Sequence, residues 1–241
     1  MRVLNTLLDF EITPQPDDIT CGPSSLHAVY RHYGLNVPIQ QVIEEVPQLE
    51  LGGTLAVHLG IHALRRGFRA DIYTCDLQMF DPSWFKPDAP TIRERLLAQR
   101  EVKRSDRLAA ATEAYLTYLD LGGQLHMEDV TVRLLARLLR QGTPIITGLS
   151  ATWLYKAMRE RPADNKDDDL AGEPVGHFVV IHGVDTKSRR VAIADPSTDK
   201  KPFDGKHNYE VDAARALGAI MLGIVTNDAK LLIVQPNKKS A

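Results

Sequence analysis

The stretch Gln15-Pro16-Asp17-Asp18-Ile19-Thr20-Cys21-Gly22-Pro23-Ser24-Ser25-Leu26 changes character partway along. Residues 15–20 are polar and turn-forming. From Cys21 a helical pattern runs to Tyr33, with Leu26, Val29, Tyr30 and Tyr33 on its apolar side and Gly34 to end it. Cys21 therefore opens a helix. The first N–H groups of a helix have no intrahelical partner and its dipole favours negative charge there. A thiol in that position is biased toward thiolate, the nucleophilic form.

Working outward, Pro38 suits the first turn of a short helix through Val46. Thr54 is placed to cap a third helix, Leu55–Arg66, closed by Gly67, and Phe68–Cys75 reads as a strand. Residues 76–90, with Pro82, Pro87 and Pro90, are irregular; charged helical patterns follow at 91–104 and 106–120, ended by Gly122-Gly123. In the second half Asp129 is placed to cap a helix over Thr131–Arg140, and Pro144–Leu149 is a short apolar strand. One or two helical turns at 151–160 lead into a polar loop, 161–175. Strands are predicted at His177–Val184, Val191–Asp195, Ala219–Thr226 and Lys230–Gln235, with a short helix over 209–217 and a frayed tail, Asn237–Ala241. The expected class is α+β: a helical N-terminal lobe carrying the cysteine, a β-sheet C-terminal lobe carrying a histidine, and a cleft between them.

The chain has 241 residues, room for one domain of two lobes or two small domains. At 44% hydrophobic and 25% charged residues, with a formal net charge of -2, nothing favours a nucleic-acid or other polyanion partner. The basic cluster Arg93–Arg107 is interrupted by Glu94, Glu101 and Asp106 and reads as a solvated helix face. Two cysteines, Cys21 and Cys75, make no disulfide framework, and a nucleophilic Cys21 fits a reducing compartment. Met1–Asp9 is too short and polar for a signal peptide, and no run approaches a membrane span, so a cytoplasmic location is expected.

Chemistry gathers around the strand His177-Phe178-Val179-Val180-Ile181-His182-Gly183-Val184, whose odd positions share one face. A hairpin turn centred on Thr186 would set His177 directly opposite Asp195; a register shifted by one pair makes them diagonal neighbours on the same face. In either case a carboxylate orients an imidazole, the third group of a nucleophile–base–orienter system. Gln15, six residues before Cys21, has an amide that with the Cys21 backbone N–H can form an oxyanion hole; one such donor is typically worth about 3 kcal/mol.

Taken together, Gln15, Cys21-Gly22-Pro23-Ser24-Ser25-Leu26 running into Tyr33-Gly34, Gly52-Gly53-Thr54 before a helix ending in Arg66-Gly67-Phe68, Gly176-His177-Phe178-Val179-Val180 and Ala194-Asp195-Pro196 resemble the papain-like cysteine peptidases. The pattern looks most like the bacterial group of bacteriocin-leader-processing (double-glycine) peptidases and their stand-alone relatives. The resemblance implies a single papain-like domain over 1–241. It implies amide-bond hydrolysis through a thioester on a peptide or protein substrate, with no metal and no organic cofactor. It assigns Cys21 as nucleophile, His177 as general base and acid, Asp195 as orienter and Gln15 as oxyanion donor. The same thioester also serves an acyltransferase, deamidase or isopeptidase, and a catalytically silent peptide-binding module is the alternative of another class. The group's processors are fused to a transporter; here Cys21 and His177 are 156 positions apart, and the surplus falls in 91–123 and 161–175, read as cleft-flanking insertions.

Other candidates have plainer readings. Cys75 lies in a strand and reads as a small buried hydrophobe. His58 and His62 share a helix face, but Leu59 stands where a zinc-peptidase helix needs glutamate, and no third ligand is evident. His182 falls on the opposite strand face from His177. His207-Asn208 suits a cap, with Asn208 an alternative orienter. Asp167–Asp169 lacks the glycine and glutamate of an EF-hand loop and reads as solvated and mobile. Asp17 and Asp18 would favour a cationic substrate or simply form a turn.

Overall fold

The computed structural model describes residues 6–49, 53–198, 203, 205–226 and 229–237, so Gly52 and the tail 238–241 lie outside the described residues. In chain order the elements are β1 (Thr6–Leu7), α1 (Cys21–His32), α2 (Ile39–Glu45), α3 (Ala56–Arg65), β2 (Phe68–Thr74), α4 (Ile92–Val102), α5 (Asp106–Asp120), β3 (Gln124–His126), α6 (Val132–Leu139), β4 (Ile145–Ser150), α7 (Ala151–Tyr155), β5 (Gly176–Asp185), β6 (Arg190–Ala194), β7 (Asn208–Asp212), α8 (Ala213–Leu222) and β8 (Lys230–Pro236).

Helix starts follow local side-chain chemistry. Thr91 and Glu94 form a capping box on α4, and Ser105, Thr131, Ser150 and Asp212 cap α5, α6, α7 and α8. Two expected caps are not used. Thr131, not Asp129, accepts the Leu134 N–H at the start of α6, and Thr54 sends its hydroxyl to the Pro47 carbonyl at 2.7 Å instead of capping α3.

The segment 208–226 corrects the sequence reading. The helix expected over 209–217 and the strand over 219–226 are replaced by β7 and then α8, followed by a 3-10 turn at Gly223–Thr226. Asn208–Asp212 alternates exposed and buried, with Tyr209 and Val211 inward. Asp212 then accepts the Ala214 N–H at 2.8 Å, and Ala213, Ala216, Ala219 and Ile220 form a helical apolar stripe. An alanine-rich run takes the helix even with Gly218 inside it, because that glycine lets α8 close on the Trp153 indole: a Cβ there would lie 2.9 Å from Nε1.

The strands form one sheet in the order β3-β2-β8-β4-β5-β6-β7, with β1 paired to the end of β5; all ladders are antiparallel except β2–β3. The N-terminal half thus supplies helices and also the strands β1 and β2. Side-chain alternation divides the apolar residues into two cores. Phe178, Val180, Ile146 and Leu232 join α1, α2, α3 and α5 on one face. Val179, Ile181, Ile145, Leu149 and Leu231 join α6, α7 and α8 on the other. Helices α4 and α5 are linked at their surface by Arg93–Asp120 (3.1 Å) and Arg100–Glu113, which accounts for the interrupted basic run as a solvated face. No helix among the described residues is long and apolar enough to cross a membrane.

Candidate active site

Cys21 is the first residue of α1, and every residue from Cys21 to Tyr30 is buried, so the thiol sits at the end of a core helix. No side chain caps this helix. Asp17 shapes the approach to it: its Oδ1 accepts the Ile19 N–H at 3.0 Å and its carbonyl accepts the Thr20 hydroxyl at 3.3 Å. Gly22 is demanded by close packing, since a Cβ there would lie 2.6 Å from Thr54 Cγ2 and 3.4 Å from Phe178 Cδ2. Pro23 lies in the first turn, where a missing N–H costs nothing. Ser25 donates to the Phe178 carbonyl at 3.4 Å, tying α1 to the residue after His177.

His177 and Asp195 are both buried, and His177 Nε2 lies 2.8 Å from Asp195 Oδ1. Of the two registers considered, the diagonal one occurs, and by an unforeseen route. At the turn Asp185 pairs with Arg190 and Gly183 with Ala192; beyond a bulge at His182 the register steps, so that Ile181 pairs with Ile193 and Val180 with Ala194. Continued one residue, this places Asp195 beside Val179, diagonal to His177 and on its face.

The pair is electrostatically coupled. Burial opposes a charged imidazole, but the Asp195 carboxylate and then the Cys21 side chain, each by charge and by hydrogen bond, hold His177 up to about 10. Burial likewise opposes a charged carboxylate at Asp195, but His177, Tyr209 and the Ser197 N–H hold it down to about 2. Since Nε2 is engaged by Asp195, Nδ1 is the ring nitrogen left for Cys21. The arrangement brings a thiol, an imidazole and a carboxylate together in chemical sequence.

Gln15 is also buried, and its backbone N–H bonds the Pro196 carbonyl at 2.8 Å, which fastens it beside the Asp195 segment. Among the described residues its Oε1 has no hydrogen-bond partner. Asp195 has neighbours that the sequence reading did not single out: Tyr155 and Tyr209 donate to Oδ2 at 2.7 and 2.5 Å, the Ser197 N–H to Oδ1 at 2.9 Å, and His207 Nδ1 to the Asp195 carbonyl at 2.9 Å. Tyr209 escaped notice because its segment reads as helix; the alternation in β7 was the signal. Asn208 is exposed and lies at the far end of β7's pairing with Ala194, so it is Asp195 that meets the imidazole.

The remaining candidates serve structure. His62 bridges Tyr30 (2.7 Å) and Glu45 (3.1 Å), and His58 faces the Pro47 carbonyl. His182 Nδ1 meets the Leu8 carbonyl at 3.1 Å. Cys75 follows β2, half-buried, with its thiol pushed up by burial and its Sγ on the Ala229 carbonyl. The loop after α7 is exposed but internally bonded: Glu160 pairs with Glu173, and Asp168 Oδ1 accepts the Leu170 and Ala171 N–H groups. Among the described residues no group of three or more His, Cys, Asp or Glu is arranged to hold a metal ion.

No protein-family model and no curated protein matches the chain. Solved structures do. One from Bacillus anthracis, described as a C39-like peptidase, is 13% identical, with the match covering 98% of this chain and 100% of that one at a TM-score of 0.54. The peptidase domain of Streptococcus ComA, a bifunctional ABC transporter, is 15% identical over 95% of this chain and 99% of that one, at a TM-score of 0.44. Xylellain, a cysteine protease from Xylella fastidiosa, is 17% identical over 98% of this chain and 88% of its own, at 0.42. With its N-terminal helices followed by a largely antiparallel sheet, the chain has the papain-like α+β fold of the C39-like peptidases.

Proposed function

We propose that the protein is a cysteine peptidase that cleaves peptide or protein amide bonds through a thioester. The observation that carries this reading is the buried His177–Asp195 pair, with the Cys21 side chain a second partner of the same imidazole. A peptide-binding module has no need to bury an ion pair beside a helix-terminal thiol.

In this mechanism His177 is protonated and Cys21 is its thiolate partner. The sulfur attacks the scissile carbonyl carbon, forming a C–S bond, and the oxyanion is met by the Cys21 backbone N–H and the Gln15 amide. As the C–N bond breaks, His177 gives its proton to the leaving amine. The now neutral imidazole takes a proton from water, the hydroxide adds to the acyl carbon, and expulsion of the thiolate leaves the acid product and the protonated His177. Asp195 keeps its charge throughout and fixes the ring. The α4–α5 hairpin and the loop 161–175 act as additions to a single catalytic domain.

The test is digestion of a peptide library by the wild-type protein and by Cys21→Ala, read by mass spectrometry. New C-terminal carboxylates with the wild type alone are expected. Equal cleavage by both proteins, or consistent transfer of the acyl group to added amines without hydrolysis, overturns the assignment.

A further inference from the structure

We infer that Tyr155 and Tyr209 are positioning residues that clamp Asp195 and thereby aim His177 at Cys21. This rests on the triad reading above and adds two residues to it. Asp195 is 2% exposed, and its two oxygens are fully committed. Oδ1 accepts from His177 Nε2 and the Ser197 N–H, and Oδ2 accepts from both phenols. A carboxylate has about four acceptor sites, and here each has a donor. Such a group neither rotates nor seeks another partner, and its four donors weaken its hold on any one proton. The Nε2 proton therefore stays on the imidazole, and the ring is presented to Cys21 through Nδ1.

The two phenols arrive from separate parts of the fold. Tyr209 comes from β7 on the apolar face shared with Val191 and Ile193. Tyr155 ends α7, a helix of five residues stopped by Lys156 in the left-handed region (φ 57°). That helix is sewn to the segment just before His177: the Ala151 N–H bonds the Val175 carbonyl at 2.9 Å, and Thr152 Oγ1 accepts the Val175 N–H at 3.0 Å. The Tyr155 ring stands 6.1 Å from the His177 ring. Both hydroxyls must carry their protons to donate, and burial, first of all, raises both tyrosines above the ordinary range. Among the described residues, the charged or titratable groups around Asp195 are His177 from β5, Tyr155 from α7, Tyr209 from β7 and His207 behind it, with Cys21 a further partner of the imidazole.

The test uses Tyr155→Phe, Tyr209→Phe and the double variant, which keep the rings and remove only the hydroxyls, made in the wild type and in Asp195→Ala. The readout is the pH profile of Cys21 alkylation by iodoacetamide, which needs no substrate, with circular dichroism to certify folding. In the wild-type background each Phe variant is expected to slow alkylation at pH 6 by about tenfold, roughly the worth of one charge-assisted hydrogen bond. In the Asp195→Ala background the same changes should have no further effect. Equal losses in both backgrounds reveal a merely structural role and overturn the proposal, as does a double variant that overlays the wild type. An Asp195 carboxyl carbon resonance that titrates about one pH unit higher per lost phenol supports it independently; an unmoved resonance overturns it. If the profiles respond but no peptide is cleaved, the clamp stands and the peptidase reading falls. If peptides are cleaved and the profiles are unmoved, the clamp alone falls.

Discussion

His177 and Asp195 meet at 2.8 Å because β5 and β6 change step at His182. In the register of the turn, where Asp185 pairs with Arg190, Asp195 would fall beside Val180 and face the opposite core. The bulge moves the pairing by one residue. Since side chains alternate with period two, one residue is a change of face. The apolar residues confirm the step: Val179 and Ile181 share their core with Val184, across a parity change at the bulge.

The ion pair so formed makes stability depend on pH. Asp195 is held down to about 2 from an ordinary 3.8, so its contribution is complete above 3.8 and is lost as pH falls through 2. His177 is held up to about 10 from 6.5, so its contribution is complete below 6.5 and is lost as pH rises through 10. The pair therefore stabilises the fold fully only between these ordinary values. Thermal melts of wild type and His177→Ala across pH 3 to 10 should show the largest Tm difference near pH 4–6.5 and a shrinking one toward pH 10. A difference that grows above pH 8 contradicts the assignment.

Gly22 gives a steric prediction. Gly22→Ala drives a methyl to 2.6 Å from Thr54 Cγ2, and Thr54 is buried and pinned by its bond to the Pro47 carbonyl. Overpacking of this kind costs about 1–3 kcal/mol and displaces Cys21 as α1 shifts. Thr54→Ser removes Cγ2 and keeps the hydroxyl. The double variant Gly22→Ala/Thr54→Ser should recover most of the stability lost in the single, measured by urea denaturation. Additive losses would mean that the clash lies elsewhere.

How much of this was legible beforehand divides along physical lines. The start of α1 at Cys21 and the shared face of His177 and Asp195 were readable because helix starts and strand alternation are local. The bulge at His182 was not, since neither Gly183 nor the hairpin length states how many residues the ladder will skip. The meeting of Tyr155 and Tyr209 was invisible for a different reason: each reaches Asp195 across the fold, and only tertiary packing brings α7 and β7 to one carboxylate. The misread 208–226 segment shows the limit of apolar runs. Ala219–Thr226 has a strand's hydrophobicity, but the alanine stripe before it and the Asp212 cap decide for helix.

The two thiols should part company under alkylation. Cys21 opens α1 and is one of the groups that hold His177 up, whereas burial pushes the Cys75 thiol up and its Sγ faces a carbonyl oxygen. Near pH 6–7 iodoacetamide should label Cys21 much faster than Cys75, as peptide mapping would show, and His177→Ala should abolish the difference. Equal and slow labelling of both thiols in the wild type would count against an activated nucleophile.

The proposed mechanism makes Gln15 an oxyanion donor, a role that separates transition-state binding from ground-state binding. Its backbone is fixed to the Pro196 carbonyl, and its side chain is buried beside the Asp195 segment. A donor that meets charge only as the tetrahedral intermediate forms contributes to kcat and leaves KM nearly alone. Gln15→Ala should therefore lower kcat by about 10²–10³ with little change in KM. Cys21 alkylation, which passes through no tetrahedral oxyanion, should keep its wild-type rate and pH profile. Should the substitution raise KM at constant kcat, or slow alkylation as much as catalysis, Gln15 would be holding substrate or the helix start, and the oxyanion would rest on backbone donors alone.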